Sequence, residues 1–117
     1  MEFESVLKNV LKDDKLEELL VANWTHFLDS SRLLAFVLQT VQANINRLAI
    51  ISSSEIKPKG VSVTLSRCHW TAQGFILWAE FHVPIAANKM AVGTMELHLS
   101  CNGSIKHINT LGNLYCA

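Results

Sequence analysis

The sequence has 117 residues, half of them hydrophobic and 17% charged, and its ten basic and ten acidic residues give a formal net charge of zero. This length suits one domain, residues 1–117, with enough chain to bury a core unaided. The balanced charge argues against nucleic-acid binding, which needs an excess of lysine and arginine. No window of about twenty apolar residues predicts a membrane span, so we expect no membrane partner.

The start of the sequence and its cysteines bear on the compartment. The first four residues include two acids and no basic residue, which is atypical of a secretory signal. Cys68, Cys101 and Cys116 have no C-x-x-C spacing, and no cysteines or histidines cluster as zinc ligands do. We therefore expect a cytoplasmic protein with reduced thiols and with neither a metal nor a cofactor.

The first part of the chain, residues 1–49, has apolar side chains three and four apart, which predicts three helices. The first is Phe3–Lys12. The second covers residues 14–28, with Asp14 as N-cap and Glu17 as its capping-box partner. The third and longest covers residues 32–48, and its wide apolar face is expected to pack on a sheet.

The second part, residues 60–113, alternates with period two and predicts an antiparallel meander. The predicted strands cover residues 61–71, 75–83, 90–101 and 104–111. Asn102-Gly103 indicates a two-residue type I′ turn, and residues 72–74 a three-residue loop with Gly74 in the left-handed conformation. The fold class expected from both parts is α+β, with three N-terminal helices packed on one face of a four-stranded antiparallel sheet.

The register follows from the loop lengths, because a slip of one residue moves every side chain to the other face. A three-residue loop sets Leu65 opposite Phe81 and Val63 opposite Val83. It also places His69 on the apolar face beside Leu77. That face, the core face, is predicted to contain Val61, Val63, Leu65, Phe75, Leu77, Ala79, Phe81, Met95, Leu97, Leu99 and Ile108.

The opposite face of the predicted sheet is too apolar for a surface left in water. The residues predicted for it include two carboxylates and two tryptophans but no lysine or arginine. They are Thr64, Ser66, Cys68, Trp70, Ile76, Trp78, Glu80, His82, Met90, Val92, Thr94, Glu96, His98, Ile105, His107, Asn109 and Leu111. Tryptophan and methionine are enriched in interface cores. We therefore predict a non-enzymatic association module that homodimerises through this face, with another protein as a further possible partner.

The residues expected to form this interface are Trp70, Ile76, Trp78, Glu80, Val92, Glu96, His98 and His107. The alternative is that residues 50–56, the C-terminal tail or curvature of the sheet covers the same face within one chain. A second function also stays open: a small-molecule-binding protein or small enzyme, with a cavity between the third helix and the sheet. Under it, His69, Trp70, Trp78 and Glu80 would line or rim the site.

Two histidines are the candidates for chemistry. The predicted hairpin sets His98 opposite His107 and Glu96 opposite Asn109, with Cβ atoms of a pair about 5 Å apart. Two imidazoles and a carboxylate suit zinc or an acid–base pair. The alternative is that both histidines are half-buried polar residues without chemistry. No nucleophile motif or phosphate-binding loop is present, so no catalytic residue is assigned.

The segment of residues 92–108, V-G-T-M-E-L-H-L-S-C-N-G-S-I-K-H-I, resembles the last hairpin of NTF2-like cone-shaped α+β domains. Those domains have a long strand, an N-G or D-G turn and a returning strand. The resemblance implies helices enclosing a curved sheet, frequent homodimers, and either a small-molecule pocket or an association surface. It covers about seventeen residues and carries over no catalytic residue. The first half departs from the family, because no strand pair interrupts its helices.

Overall fold

The computed structural model describes residues 3–12, 18, 25–28, 32–44, 48, 59–86 and 89–117. Its elements are helices α1 (Phe3–Lys12) and α2 (Arg32–Ala43) and strands β1 (Thr25–Phe27), β2 (Ser62–Thr71), β3 (Gly74–Ala86), β4 (Lys89–Ser100) and β5 (Ile105–Cys116). The strands form one antiparallel sheet in the order β1-β2-β3-β4-β5. The described part of the chain is therefore mostly β, and none of its helices is long and apolar enough to cross a membrane.

The predicted α+β fold, with three helices on four strands, is wrong. The segment Thr25–Phe27, predicted as the end of the second helix, is strand β1 and pairs with the start of β2. Pairing with a sheet edge outweighed the helical spacing, and threonine and phenylalanine both favour strands. Glu18 is helical, and residues 13–17 and 19–24 of that predicted helix lie outside the described residues.

The other two predicted helices, the first and the third, lie where the sequence places them, and only the third differs in length. Helix α1 has the predicted bounds. Helix α2 ends at Ala43 rather than near residue 48. Asn44 and Leu48 lie in turns, with the Leu48 amide donating to the Asn44 carbonyl, and residues 45–47 lie outside the described residues. The same holds for residues 50–56, which the sequence offered as a possible cover of the sheet.

The core lies between the helices and one face of the sheet. Phe3 and Leu7 of α1 are buried in it, together with four residues of α2. From the sheet it takes Val61, Val63, Leu65, Phe75, Leu77, Ala79, Phe81, Val83, Ile85, Ala91, Met95, Leu97, Leu99 and Leu114. All but one of the apolar residues predicted for the core face are thus buried, and the exception, Ile108, is partly buried against the same cluster. Each large side chain buried here contributes about 1.5–3 kcal/mol before the cost of ordering it.

The hairpin between β2 and β3 differs from its predicted register. The loop has two residues, because Thr71 pairs with Gly74, and Trp70 therefore faces Phe75. By itself this loop would bring apolar residues of β2 to the wrong face. A bulge between Leu65 and Arg67 restores the alternation by adding one residue to β2, and Leu65 then lies opposite Ala79.

The hairpin between β4 and β5 also contains a bulge. The Ser100 amide donates to the Ser104 carbonyl across a three-residue loop, and Gly103 has a φ of 88°. The Gly103 amide donates to the Ser100 carbonyl, so the connection is a three-residue loop that ends in a left-handed glycine and not the predicted two-residue type I′ turn. One extra residue, Lys106, follows in β5, and it returns His107 to a position directly opposite His98.

Candidate functional site

The outer face of the sheet, opposite the core face, is the candidate site. Directly paired residues share a face, so the strand register defines it as four rows across the sheet: Phe27, Ser62, His82, Val92 and Tyr115; Thr25, Thr64, Glu80, Thr94 and Leu111; Arg67, Trp78, Glu96 and Asn109; and His69, Ile76, His98 and His107. Strands lie about 4.8 Å apart and alternate residues about 6.7 Å apart. With the neighbouring pair of Pro84 and Met90, the outer face measures roughly 20 Å by 27 Å between its outermost residues, a flat area of about 500 Å².

The outer face carries most of the large apolar side chains that the described residues leave in solvent. Phe27 is 67% exposed, Tyr115 55% and Leu111 37%. Phe27 and Tyr115 lie at opposite ends of one row, with the buried Val92 next to Tyr115. The remaining apolar residues of the face are half-buried by their cross-strand neighbours. Neither α1 nor α2 covers this side, because the buried residues of both pack in the core cluster.

A chain of side-chain contacts crosses the outer face from β2 to β5. The guanidinium of Arg67 lies 4.2 Å from the ring centroid of Trp78, and the Trp78 Nε1–H donates to Glu96 Oε2 at 3.1 Å. His98 Nε2 donates to the other carboxylate oxygen, Oε1, at 2.5 Å. The ring of His98 meets that of His107 edge-on, with centroids 5.6 Å apart. Glu96 is thereby bound on both oxygens and fixes the orientation of both rings that donate to it.

A second carboxylate on the outer face also has a histidine partner. His82 Nε2 lies 2.8 Å from Glu80 Oε1, and the two side chains are 29% and 44% exposed. Such half-exposed pairs contribute little to stability, because solvent screens them. Their consequence is local: each glutamate of the outer face has a possible counter-charge within its own chain when the histidine is protonated.

The bulge in β2 changes which side chains reach the outer face. Arg67 and His69 lie there, although the sequence predicted no basic residue on this side and placed His69 in the core. Cys68 and Trp70, predicted outside, lie on the core side instead, where Cys68 is half-buried opposite Leu77. Trp70 contacts Phe75 with ring centroids 5.1 Å apart and remains 51% exposed at the end of the sheet.

The predicted interface residues are therefore brought together with one exception. Ile76, Trp78, Glu80, Val92, Glu96, His98 and His107 share the outer face, and Trp70 does not. The sequence missed Phe27, Tyr115 and Arg67. The first was assigned to a helix, the second lies beyond the predicted end of the last strand, and the third depends on the bulge. Only Tyr115 had a signal, since the alternation of β5 continues past Leu111.

The chemical capability of the outer face is limited. A neutral His98 that donates from Nε2 keeps Nδ1 as a proton acceptor, so His98 and Glu96 have the form of an oriented base. No nucleophilic side chain among the described residues contacts this pair in the structure. No group of three or more histidine, cysteine, aspartate or glutamate side chains among residues 59–86 and 89–117, or elsewhere in the described chain, is arranged to hold a metal ion.

Two shallow clefts border the sheet. One of about 300 Å³ lies between α2 and β5 and is lined by Arg32, Ala35, Phe36, Gln39, His107 and Ile108. The other, of about 220 Å³, lies at the β2–β3 hairpin and includes His98 and Lys106. The residues that the sequence proposed for a pocket, His69, Trp70, Trp78 and Glu80, line neither cleft.

Comparison with known proteins identified no relative. No protein-family model, curated protein or solved structure matches this chain. The hairpin that resembled NTF2-like domains is present as β4 and β5, whereas the three helices predicted from the apolar spacing are replaced by two short described helices against a five-stranded sheet.

Proposed function

We propose that this protein is an association module whose outer face packs against the outer face of a second copy, as two sheets packed face to face. The observation that carries the proposal is the exposure of Phe27, Leu111 and Tyr115 on one continuous face. Exposed apolar patches of several hundred Å² mark interaction surfaces in soluble proteins. Packing against a second sheet removes these side chains from water.

The size of the outer face supports a second copy as its occupant. Stable interfaces bury about 800 Å² of accessible surface on each partner, and the outer face has a flat area of about 500 Å² before its projecting side chains are counted. A two-fold axis through its centre therefore yields a self-complementary contact at the small end of the range for specific interfaces. Phe27 and Tyr115 lie at the two ends of one row, on the two edge strands of the sheet. A two-fold axis can therefore place each of them against an edge of the partner's sheet.

The charges of the outer face also permit two copies to meet. Glu80 and Glu96 are each paired with a histidine, and Arg67 stacks on Trp78. A buried charge is costly when it has no partner. Because each carboxylate has a histidine nitrogen within hydrogen-bond distance and Arg67 lies over the ring of Trp78, closing a second sheet over them leaves each group with a polar or aromatic contact in its own chain.

The central residue of the outer face offers the direct test. Thr94 lies between Glu80 and Leu111 and is half-buried. An arginine there adds a charge and a long side chain at the middle of the proposed contact, next to a carboxylate that can receive it within one subunit. We expect Thr94→Arg to halve the mass measured by light scattering, with an unchanged circular dichroism spectrum.

Two controls isolate the effect of Thr94→Arg. Thr94→Val has nearly the shape of threonine and should keep the wild-type mass. Gln42→Arg adds the same charge on the exposed side of α2 and should also keep it. A wild-type mass of 13.1 kDa at every concentration, or a folded Thr94→Arg variant with the wild-type mass, overturns the proposal. An outer face that binds a different protein would give that first result.

A further inference from the structure

The histidines of this chain are concentrated on one surface. The sequence contains five, and four of them lie on the outer face, namely His69, His82, His98 and His107. The fifth, His26, pairs with the core residue Val63, and its ring centroid lies 5.9 Å from that of Phe3. Histidine is the side chain that gains a charge just below neutral pH. Acidification therefore changes the charge of this protein mainly on the outer face.

Two of these four histidines have a carboxylate partner on the same face. His82 Nε2 lies 2.8 Å from Glu80 Oε1, and His98 Nε2 lies 2.5 Å from Glu96 Oε1. When either histidine is protonated, it becomes half of an ion pair within its own chain. The proton on His82 or His98 is thus compensated, and it gives two outer faces little reason to separate.

His69 has no carboxylate within ion-pair distance among the described residues. Across the pairing with β3 it lies opposite the apolar Ile76, and β4 places His98 next in the same row. The charged neighbour of His69 on its own strand is Arg67, which lies on the same face. A proton on His69 is therefore added beside a positive charge.

His107 is likewise surrounded by groups that are positive or become so in acid. Its ring meets that of His98 with centroids 5.6 Å apart. From α2, Arg32 lines the same cleft as His107, and Lys106 precedes it on β5. No described carboxylate pairs with His107, so its proton also stays uncompensated.

Protonation reverses the net charge of the outer face. With neutral histidines the face has a charge of −1, from Arg67, Glu80 and Glu96, and four protonated histidines change this to +3. We propose that acidification separates the two copies of the face-to-face dimer, because a proton on His69 or His107 is solvated in the single chain and buried against an equally positive face in the dimer. Protons then bind more readily to the single chain, so lower pH favours it. This inference rests on the proposed dimer.

Sedimentation equilibrium at about pH 7.5 and about pH 5.5, a range over which histidine gains its charge, measures the effect. We expect the dissociation constant of wild type to rise at least about a hundredfold at the lower pH, since each dimer buries two copies of His69 and two of His107. In the double variant His69→Gln, His107→Gln the rise should fall below about tenfold, because glutamine stays neutral. The control Gln42→His adds a histidine on the exposed side of α2 and should show the full wild-type rise.

The outcomes separate this inference from the dimer on which it rests. A wild type that is a single chain at the higher pH overturns the dimer itself. A dimer with the same dissociation constant at both pH values overturns the pH inference alone, and so does a double variant that shows the full wild-type rise. If the double variant does not associate at either pH, the single variants decide, since each should show a smaller rise than wild type and an equal rise overturns the inference. Circular dichroism should show Thr94→Arg folded at the lower pH, and loss of the fold there also overturns it.

Discussion

Gly93 and Phe81 face each other across β4 and β3 on the core face, where the phenyl ring fills the space beside the glycine. A Cβ atom on Gly93 would lie 2.4 Å from Cζ of Phe81 and 2.9 Å from each Cε atom. Ordinary contact begins at 3.4 Å, so the ring would have to move by about 1 Å in a close-packed core. We expect Gly93→Ala to lower the free energy of unfolding by about 1–3 kcal/mol, the usual cost of overpacking.

A double-mutant cycle tests whether the loss of stability comes from the clash between the new methyl group and the ring of Phe81. Phe81→Leu shortens the side chain that blocks the new methyl group. In that background Gly93→Ala should be neutral or stabilising by up to about 1 kcal/mol, because alanine restricts the unfolded chain. The coupling between the two sites should therefore be about 1–3 kcal/mol.

The assay is urea unfolding followed by tryptophan fluorescence, with all four proteins at one concentration because association shifts apparent stability. Costs that add to within about 0.5 kcal/mol would refute the reasoning. So would a Gly93→Ala variant as stable as wild type, since the ring would then not occupy the space assigned to it.

Two further substitutions test the core and the outer face by the same assay. Phe3→Ala should lower the free energy of unfolding by about 3–5 kcal/mol, because this side chain is 1% exposed and joins α1 to the core. The control Lys8→Ala, on the exposed side of α1, should change it by less than about 0.5 kcal/mol. A small effect of Phe3→Ala would mean that α1 is not docked. Trp78→Phe removes the hydrogen bond to Glu96 and should cost about 1 kcal/mol, with Trp70→Phe as the matched control costing less, and equal costs would contradict the assigned bond.

Alternation along the strands allowed the sequence to predict the core face and the central hairpin pair. A strand residue that must be buried fixes which of its neighbours point to the core and which point away. A bulge that offsets a change in loop length leaves this alternation, or parity, unchanged. His98 therefore lies opposite His107 although the turn between them has three residues instead of two. The predicted geometry of this loop was wrong, whereas the predicted pairing of His98 with His107, which depends on the alternation of side chains, was right.

Two features could not be read from the pattern. The apolar alternation of β2 fits either a three-residue loop with a regular strand or a two-residue loop with a bulge after Leu65. The structure has the second combination, and the sequence pattern does not distinguish the two. It moved Arg67 and Trp70 to faces opposite those predicted. Strand β1 has only three residues, and its identity depends on the partner edge of β2 rather than on its own sequence. The exposed Phe27 was consequently missed.

The central claim is that the outer face is covered by a second copy, and a dilution series followed by nuclear magnetic resonance tests it most directly. We expect resonances of Ile76, Thr94 and His98 to shift or broaden as the protein is diluted through dissociation, while those of Gln42 on α2 stay constant. Outer-face resonances that remain unchanged over the whole range, in a protein of single-chain mass, would contradict it.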